Sequence, residues 1–250
     1  MNIVVCLKRV PDTETKIKIG GDGKTIDPTG VEFIINPFDE FAVEEALRIK
    51  ERLGKGEITI LSLGTTDAQA IMRKAYAMGA DKGVHLNDTS GNCDTIAVAK
   101  ALAAALKEMP FDLLLFGKQA IDYDDASVGV QVAKLLNIPI VTRIIKIDVA
   151  GGKATVERES DAGKEILEVT LPAAFTAEKG LNEPRYPKLM DIMKAKKKPL
   201  DQKEAKLDAP KIEIVKMEYP PDRPPGRIVG EGVEAVPELV TLLKNEAKLI

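Results

Sequence analysis

Residues 39–63 read DEFAVEEALRIKERLGKGEITILSL. Ala42, Ala46, Ile49 and Leu53 fall at helical spacing and give the segment one apolar face, and Gly54 stops it. The run Glu57–Leu63 that follows is a short strand. A helix delivered straight into a strand is the repeating unit of a layered α/β fold.

The same rhythm extends in both directions. Asn2–Leu7 is an apolar run suited to a strand buried on both faces. Thr66 or Asp67 can cap a helix bearing Ala68, Ile71, Met72 and Ala75 that ends at Gly79. Gly83–Leu86 is the next strand. Asp94 opens a helix with Ile96, Ala99, Ala103 and Leu106, halted near Pro110. Leu113–Phe116 is a strand, followed by a polar loop and a helix over Ser127–Leu136. The expected architecture is α/β: a mostly parallel twisted sheet with helices on both faces, Rossmann-like.

After Asn137 the pattern changes. Ile140–Asp148, Lys153–Ser160 and Glu165–Val169 read as antiparallel edge strands, the first two joined across Gly151-Gly152. From Asp201 the chain is rich in Lys, Asp and Pro, and Pro220, Pro221, Pro224 and Pro225 oppose regular structure. A last helix is predicted over Pro237–Lys248. The expected division is an α/β domain over 1–199 and a C-terminal extended arm over 200–250 that wraps a partner.

Composition narrows the function classes. The chain has 250 residues, 44% hydrophobic and 30% charged, enough for one large or two small domains with a real core. A net charge of −3, no Trp and 4% aromatic residues argue against a nucleic-acid partner. No apolar run approaches roughly 18 residues, and MNIVVCLKRV lacks a signal-peptide layout, so a cytoplasmic location without membrane insertion is expected. Cys6 and Cys93 give no disulfide framework. A single histidine, His85, excludes a multi-His metal site, and no Ser/His/Asp set is visible. No catalytic or metal-ligating residue is therefore assigned.

In open α/β sheets, ligands sit beyond the carboxyl ends of the strands. Cys6–Val10, Asn36–Asp39, Leu63–Thr66 and Gly117–Asp122 converge there, with Ser127 and Gly129 at a helix start. Gly64 and Gly117 are expected to let the backbone approach a ligand. A helix start near Ser127 offers N–H groups to a phosphate, while Ser127 or Asp125 as a plain N-cap is the competing reading. Asp122, Asp124 and Asp125 disfavour a highly charged polyphosphate. Neither a Gly-x-Gly-x-x-Gly fingerprint nor a Gly-Lys-Ser/Thr P-loop occurs.

A second informative stretch is Leu171–Pro199, LPAAFTAEKGLNEPRYPKLMDIMKAKKKP. The strand Ala173–Thr176 runs into a loop shaped by Gly180, Pro184 and Pro187. It then carries an apolar cluster, Leu189, Met190, Ile192 and Met193, and the cations Lys194, Lys196, Lys197 and Lys198. An apolar knob with a basic collar suits a docking surface. The alternative is that these side chains fold back on their own domain.

LNEPRYPKLMDIMKAKKKP resembles the recognition loop of the beta subunit of electron transfer flavoproteins. KRVPDTETKIKI, INPFDEFAVEEALRIKE, AMGADKGVHL and GKQAIDYDDASVGVQVAKLL fall in that family's order along nearly the whole chain. The resemblance implies a heterodimer with an alpha subunit that carries most of an FAD, the beta subunit closing over it. It implies a structural AMP in this subunit. The matching positions are Cys6, Asn36, Pro37, Phe38, Asp39 and Leu63, then Gly117, Lys118, Gln119, Ala120, Ile121, Asp122, Tyr123, Asp124, Asp125, Ala126, Ser127 and Val128. Phe38 matches a position near the FAD, whereas Thr13 stands where some relatives have an aromatic residue. The resemblance further implies that Leu189, Met190, Ile192, Met193, Lys194 and Lys197 dock acyl-CoA dehydrogenase-type flavoproteins of fatty acid beta-oxidation, with electrons passed on to a membrane quinone oxidoreductase. In a second branch of the family a second FAD replaces AMP and electrons from NADH are bifurcated. Asp94-Thr95 and DDASVGVQVA lean that way, and INPFDEFAVEEA and the 182–199 loop lean toward AMP.

Overall fold

Three short apolar runs form the middle of the molecule because neither face of them can meet water. They are β1 (Asn2–Leu7), β6 (Leu113–Gly117) and β10 (Ala173–Ala177), and almost every residue in them is buried. The computed structural model describes residues 1–89, 93–222 and 225–250, so Pro224 of the proline-rich tail lies outside the described residues. Among the described residues, nine strands make one sheet. Beyond β1 on one side lie β4 (Glu57–Gly64) and β5 (Lys82–Asn87), and from β5 to β10 every pairing is parallel.

Helices α1 (Pro37–Leu53) and α2 (Ala68–Met78) cover one face, against Ile3, Val5, Ile58, Ile60, Leu115 and Phe175. Helices α3 (Thr95–Lys107) and α4 (Val128–Leu136) cover the other, against Val4, Leu61, Leu114, Phe116 and Ala174. The alternation of successive strand residues between the two cores follows from the period of two along each strand. The helix ends at Gly54 and Asp94 follow the sequence signals, whereas Asp67 at the N-cap of α2 makes no side-chain capping bond. Gly54 ends α1 in the left-handed region, and Asp94 Oδ1 accepts the Ala97 N–H at 2.8 Å to cap α3.

Past β7 (Ile140–Ala150) the sheet turns antiparallel. Strand β7 runs parallel to β10, while β8 (Lys153–Ser160) and β9 (Gly163–Thr170) fold back as a meander. The turn between β7 and β8 holds Gly151 at φ 58° and Gly152 at φ 78°, left-handed values that glycine adopts at low cost. Cross-strand pairs Lys153–Glu168 and Arg158–Glu165 place charge at the exposed edge, which discourages edge-to-edge association. A separate two-stranded ribbon joins β2 (Arg9–Pro11) to β3 (Phe33–Ile35).

Several elements differ from the sequence reading: β7 pairs parallel with β10 where an antiparallel edge strand is expected, and the β2–β3 ribbon has no counterpart there. Helix α5 (Leu189–Ala195) forms where a loop is expected. Strand β11 (Asp201–Glu204) forms where only an irregular tail is expected, and it adds parallel to the outer edge of β5. The tail then runs back over earlier parts of the chain. Lys211 N donates to Asp94 Oδ2 at 2.6 Å, and Met217 N donates to Gly23 O at 2.8 Å. The last helix, α6, spans Val236–Asn245 and keeps Val236, Leu239 and Val240 exposed.

Candidate functional site

Strand order β4-β1-β6-β10 sends the chain leftward after β1 and rightward after β6. The crevice between those two strand ends is the switch point of the sheet, where open α/β folds hold ligands. Asp39, in the first turn of α1, spans it. Its Oδ2 accepts the Lys8 N–H at 2.7 Å, and its Oδ1 accepts the Gly117 N–H at 3.1 Å and the Asn36 amide at 2.8 Å. Burial drives the Asp39 carboxyl up to about 7, against the opposing pull of those hydrogen bonds. Asn36 continues the stitching: its Nδ2 donates to Gln119 O at 2.8 Å and its Oδ1 accepts Ile121 N at 3.2 Å.

Gly117 has a packing role of its own. A Cβ there would lie 2.4 Å from Asp39 Oδ1 and 2.7 Å from the Phe38 backbone carbon. The glycine admits the start of α1 against the end of β6.

The loop from Gly117 to Ser127 engages its own acids. Asp122 pairs with Lys8 Nζ at 2.7 Å, and that ammonium lies 4.8 Å from the centre of the exposed Tyr123 ring. Asp124 accepts the Gln119 amide at 2.5 Å, and Asp125 accepts the Ser127 hydroxyl at 3.1 Å. Asp124 and Ala126 sit at φ 53° and 51°, a left-handed backbone unusual outside glycine. Ser127 occupies the N-cap position of α4, yet its side chain makes no capping bond, so the plain N-cap reading does not hold for it.

A cleft of about 570 Å³ opens beside this loop. Lys118, Gln119 and Ala126 line it from the loop, with Val130 from α4, Thr142 and Arg143 from β7, and Thr176 from β10. Lys118 Nζ pairs with Glu178 at 2.9 Å and stands 4.6 Å over the Phe38 ring. Arg143 Nε reaches the same carboxylate oxygen at 3.2 Å. Burial acts to raise the Glu178 carboxyl, and the hydrogen bonds from Lys118 and Arg143 bring it below its ordinary value. Two cations thus share one carboxylate at the cleft, while Asp124 and Asp125 on the adjoining loop bond only to neutral partners and keep their charge. Arg143 itself sits at φ 59°, with its N–H held by Thr176 Oγ1 at 2.8 Å. Thr142, Arg143 and Thr176 have no signal in the sequence, because they reach the cleft from strands distant in the chain.

Of the remaining sequence-selected residues, Cys6 is buried at the end of β1, where burial and then the nearby Asp39 push its thiol well up. It is therefore an inert wall rather than a nucleophile. Leu63 lies at the end of β4, half-buried against the α3–α4 core. His85 is buried in β5, its Nε2 2.9 Å from Gly64 O, a structural placement. Among the described residues no group of His, Cys, Asp and Glu is arranged to hold a metal ion, and no helix is long and apolar enough to cross a membrane.

The second candidate surface is α5. Leu189, Met190 and Met193 are 75%, 69% and 64% exposed, while Ala195 at the helix end is buried in the main core. The apolar cluster therefore points outward and does not fold back. Its approach is fixed by Arg185, whose Nε meets Glu44 Oε2 at 2.8 Å and whose Nη1 meets Glu51 Oε1 at 2.6 Å. Asn182 donates to Phe41 O at 3.0 Å. Lys194, Lys196 and Lys197 are exposed. Lys198 departs from the expected free cation: it is half-buried and donates to Ala80 O at 2.6 Å.

The chain matches the electron transfer flavoprotein domain over residues 24–208. It is 43% identical over 260 residues to the electron transfer flavoprotein subunit beta of Bacillus subtilis, covering all of both chains. It is 44% identical over 231 residues to the subunit of that name from Thermoanaerobacterium thermosaccharolyticum, covering 92% of this chain and 86% of the relative. The corresponding mouse subunit is 39% identical over 256 residues, with coverage of 100% and 99%.

Proposed function

The chain belongs to the electron transfer flavoprotein family as a beta subunit, and on that premise we propose that it joins an alpha subunit and equips the pair to carry electrons between other flavoproteins and a quinone oxidoreductase. The observation that carries this reading is α5. A carrier needs a surface that engages its donors briefly, and Leu189, Met190 and Met193 stand exposed on a helix whose base is fixed. Leu189 is the anchor for an apolar pocket of an acyl-CoA dehydrogenase-type partner. Lys194, Lys196 and Lys197 steer acidic groups around that pocket.

The nucleotide sits in the cleft beside the loop 117–127, next to the switch point of the sheet. The residues there offer a phosphate-bearing ligand the Lys118 ammonium, the Arg143 guanidinium and a start of α4 with no side-chain cap from Ser127, while Asp124 and Asp125, whose partners are neutral, favour a ligand of few charges. We assign AMP to this place, with Phe38 and Lys118 on the side that faces the FAD of the alpha subunit. The flavin supplies the redox chemistry. This chain contributes binding, orientation and the docking surface.

The test uses the purified heterodimer. Leu189→Ala should lower the second-order rate of flavin reduction by a reduced acyl-CoA dehydrogenase at least about 30-fold, in line with loss of a buried anchor worth more than about 2 kcal/mol. An unchanged rate refutes the docking role. Release of bound nucleotides should yield one AMP and one FAD per heterodimer. Two FAD per heterodimer would replace AMP with a second flavin and favour NADH-dependent bifurcation.

A further inference from the structure

Helix α5 is seven residues long, far below the length at which a helix persists alone in water. It also turns several of its apolar side chains outward, so little of its own burial holds it in place. Its order must come from elsewhere, and the contacts lead to α2. Arg73 Nη1 donates to Ala195 O at 2.8 Å and to Lys198 O at 2.7 Å. One guanidinium thus takes a carbonyl at the end of the helix and one in the turn beyond it, where orphan carbonyls collect. One helical turn after Arg73, the Tyr76 hydroxyl donates to Pro199 O at 2.8 Å. Lys198 completes the clasp in the opposite direction, its ammonium on Ala80 O and 5.4 Å from the centre of the Tyr76 ring. Gly83 makes room: a Cβ at that position would lie 2.6 Å from the Tyr76 hydroxyl.

We propose that Arg73, with Tyr76 and Lys198, is a positioning device that holds α5 in its docking-ready form, so that a partner flavoprotein meets an ordered handle. The inference rests on the reading of Leu189–Met193 as the docking surface. None of the three residues needs to touch the partner. Their effect is on the fraction of heterodimers whose handle is formed at encounter, and a fall in that fraction weakens docking in proportion. This residue set is separate from the Arg185 contacts that fix the entry to the handle.

The experiment compares Arg73→Ala, Tyr76→Phe, Leu189→Ala and the double variant Arg73→Ala/Leu189→Ala, each in the full heterodimer, with an acyl-CoA dehydrogenase reduced by its acyl-CoA substrate as probe. Arg73→Ala should speed amide exchange across 189–198 and lower the second-order rate about tenfold. The rate at saturating partner and the bound flavin should stay at wild-type levels. Tyr76→Phe, which keeps the ring and removes one hydrogen bond, should give the same pattern at about threefold. The double variant should fall by less than the product of the single effects, because both act through one helix. Unchanged amide exchange, or faster exchange with an unchanged second-order rate, overturns the proposal while Leu189→Ala still slows the reaction. If Leu189→Ala also leaves the rate untouched, it is the docking reading that fails. Should Arg73→Ala not assemble, the Tyr76→Phe result decides alone.

Discussion

The segments that follow β6 and β10 leave the same edge of the sheet and treat their side chains in opposite ways. After β6, the loop 117–127 turns its polar groups on itself: Asp122 to Lys8, Asp124 to Gln119, Asp125 to Ser127, with Asn36 and Asp39 fastening it from beneath. After β10, the polar groups of 182–185 and 198 fasten the segment to α1 and α2, and its apolar groups face water. In the first case burial selects hydrogen-bonding partners. In the second, hydrogen bonds sustain an exposure that burial would never select. An exposed apolar helix survives where its backbone ends are secured by other elements.

That contrast can be pressed hardest at Gly117. Gly117→Ala places a methyl against Asp39 and the Phe38 backbone, neither of which can retreat alone. We expect a stability loss of about 3 kcal/mol, read from the urea midpoint of the heterodimer, together with reduced nucleotide content. Retention of both would mean that the α1–β6 junction is looser than the loop after β10.

A smaller effect is expected from Asp39→Asn, about 2 kcal/mol, because one amide oxygen cannot replace both carboxylate oxygens toward Lys8 and Gly117. The effect depends on pH. A carboxyl raised to about 7 in the folded chain contributes stability that is complete below its unfolded value near 3.8 and is lost as pH rises through 7. The gap between wild type and Asp39→Asn should therefore narrow from pH 5 to pH 8 in thermal melts. A gap that widens would show that the three hydrogen bonds outweigh burial.

The smallest effects separate neighbouring lysines. Lys197→Gln should leave stability unchanged and weaken the salt dependence of the partner rate about twofold. Lys198→Gln should cost about 1 kcal/mol in stability and leave the salt dependence as it is, since its ammonium is committed to Ala80 O. Matching salt dependences for the two would return Lys198 to the steering set.

The parallel sheet and its helices are legible in the sequence because buried strands such as Asn2–Leu7 and Leu113–Gly117 are apolar on both faces. The meander after Asn137 is legible through Gly151-Gly152. Helix α5 is not, since its outward Leu and Met residues erase the helical face that burial would imprint. Nor is β11, whose sequence Asp-Gln-Lys-Glu has no strand signature and is extended only because β5 offers an open edge. The loop 117–128 is visible as a polar insertion with glycine and acids. Arg143 and Thr176 are hidden because their place in the cleft depends on strand register. Asp39 looks like an ordinary first-turn acid of α1, and its task between Lys8 and Gly117 exists only once β1 and β6 lie side by side.

Strand β11 has a mechanical consequence. The handle leaves the sheet from β10 and rejoins it at β11, with β6, β1, β4 and β5 in between. A partner that tugs or twists the handle therefore loads both feet of an arch, and the strain spreads across the width of the sheet.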